Sequence, residues 1–336
     1  MKTLQLLTIT CASLMLASLA SAQKYHAFIW NSSSGLTDLG TLGGNSSYAM
    51  GINDSGQVVG YSEVGTTHHA FIWTASGGMV DLGTPPGCTW SQGEMINASG
   101  EISGEAINSI NRQIPAFWSA STGWVTLAEA HNPYGSYGLG INDAGMMTGQ
   151  MYVGSYVNAF YWRPGGAVRF APPLSSGVHM AAYDINNHNY ISGEGILPPD
   201  GRWEAFIWSR ETGTVGIGFV PGSYISLAHA INDNNEVAGI SYGFGFGAPT
   251  GAFYWKKGTG IVPMQTLGGI IGAGLDINLA GAIVGWASNV SEQTHACIWS
   301  NYTSVPEDLG TLPGGTISYA RSINNSGQIV GFSDVP

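Results

Sequence analysis

The chain has 336 residues, of which 50 are Gly and only 9% are charged, and its formal net charge is −11. Aromatic residues make up 11%, including 11 Trp, too many for a disordered chain, and the Gly lacks the three-residue period of collagen. Ten Lys+Arg against 21 Asp+Glu leave no cationic footprint for nucleic acid or anionic lipid.

Residues 1–22 read as a secretory signal: Met1-Lys2 supplies a positive start, Leu4 to Leu19 an apolar run, and Ala20-Ser21-Ala22 a small-residue cleavage site before Gln23. We therefore expect a secreted, extracellular or periplasmic, protein cut between Ala22 and Gln23, with a single domain over 23–336. The charge-poor stretches Thr212 to Asn232 and Ala238 to Trp255 are studded with Gly, Pro and Ser, so no membrane span is expected there. Beyond the signal only Cys88 and Cys297 remain. That is too few for a disulfide-stapled fold, and both are expected as free thiols.

From Gln23 onward the chain repeats itself. One landmark is a Trp, at 30, 73, 118, 162, 208, 255 and 299; the other is Ile-Asn, beginning at 52, 96, 141, 185, 231, 277 and 323. The first unit holds four short strand candidates: Ala27 to Trp30, Leu36 to Thr41, Ser47 to Asn53 and Gln57 to Ser62. Aromatic and β-branched residues suit the first, and Asn53-Asp54-Ser55-Gly56 between the last two reads as a tight turn. Such turns invite a calcium reading, but they lack the ligand spacing of a calcium loop. Four strands in roughly 45 residues is one propeller blade. Seven units make an all-β, seven-bladed β-propeller. The chain starts at the third strand of a blade and ends after the second strand of one, so the two half-blades are expected to pair and leave no sheet edge.

Three segments carry a family resemblance: His26-Ala27-Phe28-Ile29-Trp30, Asp38-Leu39-Gly40-Thr41-Leu42-Gly43-Gly44, and Gly51-Ile52-Asn53-Asp54-Ser55-Gly56-Gln57-Val58-Val59-Gly60-Tyr61-Ser62. They resemble the HAF-repeat family of probable extracellular, mostly bacterial repeat proteins, over essentially all of the chain after the signal. The resemblance implies location and repeat type, and no activity. Some units depart from it: Pro115 stands before Ala116-Phe117-Trp118, Cys297 replaces the Phe, and Thr126-Leu127-Ala128 lacks Asp-Leu-Gly.

Consensus positions build the ring, so function is sought in the departures. On the face formed by the turns between middle strands and the links between units, the sequence places Trp90, Tyr134, Tyr152, Trp203, Tyr242 and Phe244, with Arg202 and Glu204 beside Trp203. Exposed rings there would stack on sugars or anchor a protein, unless they pack the loops onto the blades. A second departure lies on the inner strand. The position two before Ile reads Met50, Glu94, Leu139, Tyr183, His229, Leu275 and Arg321, and the next position is Asp184 and Asp276 in two units. Glu94, Asp184, His229, Asp276 and Arg321 are thus candidates for an axial polar site, or for hydration around a water-filled channel. No nucleophile elbow, zinc-protease motif or phosphate loop occurs, and no catalytic residue, cofactor or metal is assigned. We expect a monomeric, non-enzymatic scaffold binding a glycan or cell-surface protein. The alternatives are a glycan-cleaving enzyme with axial carboxylates and a matrix protein without a discrete ligand.

Overall fold

A computed structural model describes residues 23–127, 135–173, 179–197, 201–243 and 250–336. The described residues form 28 strands and no helix, arranged as seven four-stranded antiparallel sheets. No helix among them is long and apolar enough to cross a membrane.

The chain opens with β1 (Lys24–Asn31) and β2 (Gly35–Asp38), the outer half of the last blade, then builds blade 1 from β3 (Ser47–Ile52), β4 (Val58–Val64), β5 (Thr67–Thr74) and β6 (Gly78–Asp81). Blades 2 to 6 follow in the same way. The final strands, β27 (Ser318–Ile323) and β28 (Ile329–Val335), join the first two in a sheet ordered β2-β1-β28-β27. β1 and β28 pair over seven residues, from Lys24 opposite Val335 to Trp30 opposite Ile329. The half-blades therefore close the ring as the sequence predicts, and the protein is a seven-bladed β-propeller. The first strand of each blade packs against the first strands of its neighbours, β27 against β3 included, which places these seven strands around the axis.

The His-Ala-Phe-Ile-Trp segment lies on the third strand of each blade. Its central position is Phe28, Phe71, Phe117, Phe160, Phe206, Phe253 or Cys297, and none of these is more than 2% exposed. The period therefore exists because seven equivalent interblade sites each need one large apolar plug; Cys297 leaves room that the buried Trp299 and Tyr254 help fill. The landmark Trp is less uniform: Trp162, Trp208, Trp255 and Trp299 are buried, whereas Trp30, Trp73 and Trp118 are half-buried. A buried Ser then ties blade to blade. Ser47, Ser91, Ser226 and Ser318 each donate to the carbonyl of the Gly that ends the preceding unit's outer strand, and accept a backbone N–H from its third strand.

The Ile-Asn landmark does more than turn the chain. Each Asn Oδ1 accepts the N–H four residues on, at 2.9–3.0 Å, closing its own turn. Each Nδ2 donates to the carbonyl of the equivalent Asn one blade on, at 2.9–3.2 Å. The last of these, Asn324 to Asn53, spans 271 residues and closes a belt of seven hydrogen bonds at one end of the axis. Cys88 opens β7 in blade 2, and the buried Cys297 lies in blade 6 with at least two blades between them either way; they are not joined.

Candidate functional site: the axial cavity

A Gly follows two residues into the second strand of every blade: Gly60, Gly104, Gly149, Gly193, Gly239, Gly285 and Gly331. A Cβ on any of them would sit 1.9–2.1 Å from a carbonyl oxygen of the inner strand. The inner strand therefore approaches as no other residue would permit, and just beyond this contact its register slips. The slips fall between Ala49 and Gly51, Gly93 and Met95, Gly138 and Ile141, Ala182 and Asp184, Ala228 and Ala230, Gly274 and Asp276, and Ala320 and Ser322. Each slip is a β-bulge, which bends a strand and re-aims a side chain.

The bulged residues are the variable ones: Met50, Glu94, Leu139, Tyr183, His229, Leu275 and Arg321. All seven line one axial cavity of about 80 Å³, together with Met95, Tyr137, Gln150, Asp184 and Ala230. A cavity needs roughly 10–15 Å³ of such space to hold one water, so this one has room for several waters or a small polar group.

Burial dominates the electrostatics. Glu94 is held by a hydrogen bond from the Gln92 amide, and desolvation, only partly countered by the Arg321 charge, pushes its carboxyl up to about 7. Behind it Glu105, 1% exposed, is pushed well above the carboxylate range by burial and by Glu94, and its Oε2 has no partner. His229 lines the cavity; desolvation lowers it to about 3, helped by Arg321, and it is neutral. It lies 5.2 Å from the Tyr183 ring. Tyr183 donates 2.5 Å to Glu194, whose buried carboxyl is raised to about 8.

Of the five axial candidates read from sequence, Glu94, Asp184, His229 and Arg321 line the cavity and Asp276 does not. The two Asp serve the ring instead. Asp276 Oδ1 accepts the Ile277 N–H at 2.7 Å, and its Oδ2 accepts Ser322 Oγ and the Ile323 N–H at 2.7 and 2.8 Å. Asp184 likewise accepts the Ile185 and Ile231 N–H groups at 2.8 and 2.9 Å. Each carboxylate thus pins its own bulge to the inner strand of the next blade.

The aromatic candidates sit on strands more than in loops. Trp90 lies in β7 (Cys88–Ile96), 6.0 Å from Tyr61 and 6.2 Å from His68. Tyr61 continues a chain of rings through Tyr48, Tyr25 and Phe332 to Tyr319, each pair 4.7–5.7 Å apart. Trp203, in β17 (Arg202–Ser209), is half-buried and lies 6.4 Å from His179, which in turn faces Tyr156. Both groups lie at the end of the blades opposite the Asn belt. Tyr152 and Tyr242 are partly buried against one apolar cluster that includes Tyr183. The Arg202 guanidinium covers the Phe219 ring at 4.3 Å. Glu204 is buried in the place of the repeat's His and accepts the Gly218 N–H at 2.8 Å, so it binds its own blade. Where that His is present, it meets the Asp of the outer strand: His26 with Asp38, His69 with Asp81 and His295 with Asp308, at 2.7–2.9 Å. Tyr134 and Phe244 lie outside the described residues. Sequence reading overlooked Gln92, the amide that holds Glu94; the signal was its inner-strand position, where the other units carry Tyr48, Tyr137, Ala181, Leu227, Ala273 and Tyr319. No group of three or more His, Cys, Asp or Glu among the described residues could hold a metal.

No family model matches the chain, and no curated protein matches it. Solved structures do. It is similar to a putative TolB from Agrobacterium tumefaciens, 10% identical, covering 94% of this chain and all of that one with a TM-score of 0.54. It is similar to virginiamycin B lyase from Staphylococcus aureus, 9% identical, covering 93% of this chain and all of that one with a TM-score of 0.53. It also resembles a prolyl endopeptidase, 10% identical, covering 82% of this chain and 44% of that one with a TM-score of 0.55. At such identities the likeness concerns the propeller alone.

Proposed function

We propose that the protein is a secreted, non-enzymatic binding propeller of the HAF-repeat type, released by cleavage after Ala22. Its ligand is a glycan or a cell-surface protein, engaged at the axial cavity and the aromatic end of the blades. One observation carries this reading: seven bulges aim seven side chains of six kinds at one cavity, while the positions that build the blades repeat. A scaffold that needed only to stand would repeat the axial position too. The rings around Trp90 and Trp203, at the end of the blades opposite the Asn belt, supply flat apolar surface of the kind that sugars and protein anchors use.

The test is a glycan array probed with the mature chain, followed by titration of each hit. Trp90→Ala and Trp203→Ala are expected to weaken binding about 30-fold, the typical loss at a hot spot, with melting little changed. If they unfold the ring while Trp208→Ala leaves it intact, the division between scaffold and site is inverted. Glu94 favours a second reading, cleavage of a glycan. A carboxyl facing a cavity and raised to about 7 has the protonation a general acid needs near neutrality. New reducing ends released by wild type and not by Glu94→Gln would establish it.

A further inference from the structure

The ring order fixes which side chains face one another across the cavity. Arg321, from blade 7, has Met50 and Leu275 on the adjoining blades. Glu94 and His229 stand one blade further out on either side, and Leu139 and Tyr183 lie opposite. With His229 neutral, Arg321 is the one cation among the described lining residues. No hydrogen bond or ion pair joins its guanidinium to another described residue, and its Nε is buried without a partner. The carboxylates that feel its charge are engaged elsewhere, Glu94 by Gln92 and Asp276 by Ser322 and two backbone N–H groups.

A guanidinium that lines a cavity with its buried Nε unpaired is an unusual thing for a fold to keep. Its planar fork matches the two oxygens of a carboxylate, and the apolar flanks Met50 and Leu275 would strengthen that pairing by excluding water. Glu94 and His229 then stand where hydroxyl groups beside the carboxylate would fall. The imidazole, being neutral, offers one donor and one acceptor; the carboxyl offers an acceptor. The cavity has room for such a head group. Tyr137 and Tyr183 in its wall provide rings for the face of the sugar that carries that head group.

We propose that the axial cavity is a carboxylate subsite, anchored by Arg321, that selects glycans ending in a uronic acid. This deepens the glycan-binding reading and rests on it. The experiment is calorimetric titration of the mature chain with oligogalacturonate and oligoglucuronate, and with the neutral galactose and glucose oligomers of the same length. Wild type is expected to prefer one of the acidic series by at least about tenfold, the scale of one charge-assisted bidentate contact. Arg321→Gln should remove the preference without lowering the melting temperature, because the guanidinium makes no hydrogen bond or ion pair among the described residues. Arg321→Lys should restore only part of it. Trp203→Ala should weaken acidic and neutral ligands alike. Equal binding of acidic and neutral oligomers overturns the carboxylate subsite and leaves glycan binding standing. A preference that survives Arg321→Gln also overturns it, since the anchor is then elsewhere. Failure of every oligomer to bind overturns both.

Discussion

Two neighbouring positions on the inner strands follow opposite rules. At one end, seven Asn residues make the same two bonds in every blade, and the belt closes on itself through Asn324 and Asn53. A few residues earlier, seven bulges present a Met, a Glu, two Leu, a Tyr, a His and an Arg to one cavity. The same backbone thus carries a strictly periodic element beside an aperiodic one. Sevenfold repetition is a device for building the ring, and it is relaxed only where the chain faces the axis. Asp184 and Asp276 mark the border: they vary from blade to blade, yet their oxygens are spent on the neighbouring inner strand.

If the periodic part holds the molecule together, damage to it should be large and damage to the bulge ring small. The largest effect should come from deleting Gln328–Pro336, which removes β28 and strips β1 of its inner partner. The blade-7 edge is then exposed, and cooperative unfolding followed by circular dichroism should be lost. Next comes Phe206→Ala at a fully buried plug, expected to cost about 3–5 kcal/mol in denaturant unfolding. Asn186→Ala should cost about 1–3 kcal/mol, because it leaves the Asn232 carbonyl and the turn N–H groups of His188 and Tyr190 without their partner.

Glu194 sharpens the comparison through pH. Its folded carboxyl is raised to about 8 by burial, whereas the unfolded chain has the ordinary value near 4.5. Between those values the folded state holds a proton that the unfolded state has released, so stability falls as pH rises from about 4.5 to about 8. The slope for one such proton is up to about 1.4 kcal/mol per pH unit. Glu194→Gln should flatten the profile in that window, because an amide keeps the Tyr183 hydrogen bond without the titration. The smallest effect belongs to the half-exposed pair His69–Asp81. Removing it by His69→Ala should change stability by less than about 1 kcal/mol, as expected of a solvent-screened contact.

The fold was legible because its causes repeat. The Phe plug and the Ile-Asn turn are local patterns, and seven copies of each outweigh a replacement such as Cys297. The belt was not legible: the Asn oxygen that closes its own turn is a local matter, but the amide bonds a carbonyl 44–46 residues on, and no local pattern encodes that. The axial site was half legible. Variation two residues before each Ile pointed at Glu94, His229 and Arg321, yet the bulge that turns them inward depends on a Gly meeting an inner-strand carbonyl across the sheet. Asp276 misled because a carboxylate next to the axis and one bonded to the next blade read alike in a sequence. Trp90 and Trp203 were expected in loops and lie on strands, because the strands run further toward that end of the blades than the turn residues suggested.

The central claim is that the polar axial side chains Glu94, His229 and Arg321 carry no structural duty, and one variant tests it most directly. Glu94, His229 and Arg321 are replaced together by Leu, the residue that blades 3 and 6 already carry there, and unfolding in denaturant is compared with wild type. Exchanging buried polar groups for apolar ones of similar size is often neutral or stabilising, so the account predicts a ring within about 1 kcal/mol of wild type, or above it, that has lost the preference for acidic oligomers. A triple variant that loses several kcal/mol or fails to fold would show that these side chains hold the propeller together, and would contradict it.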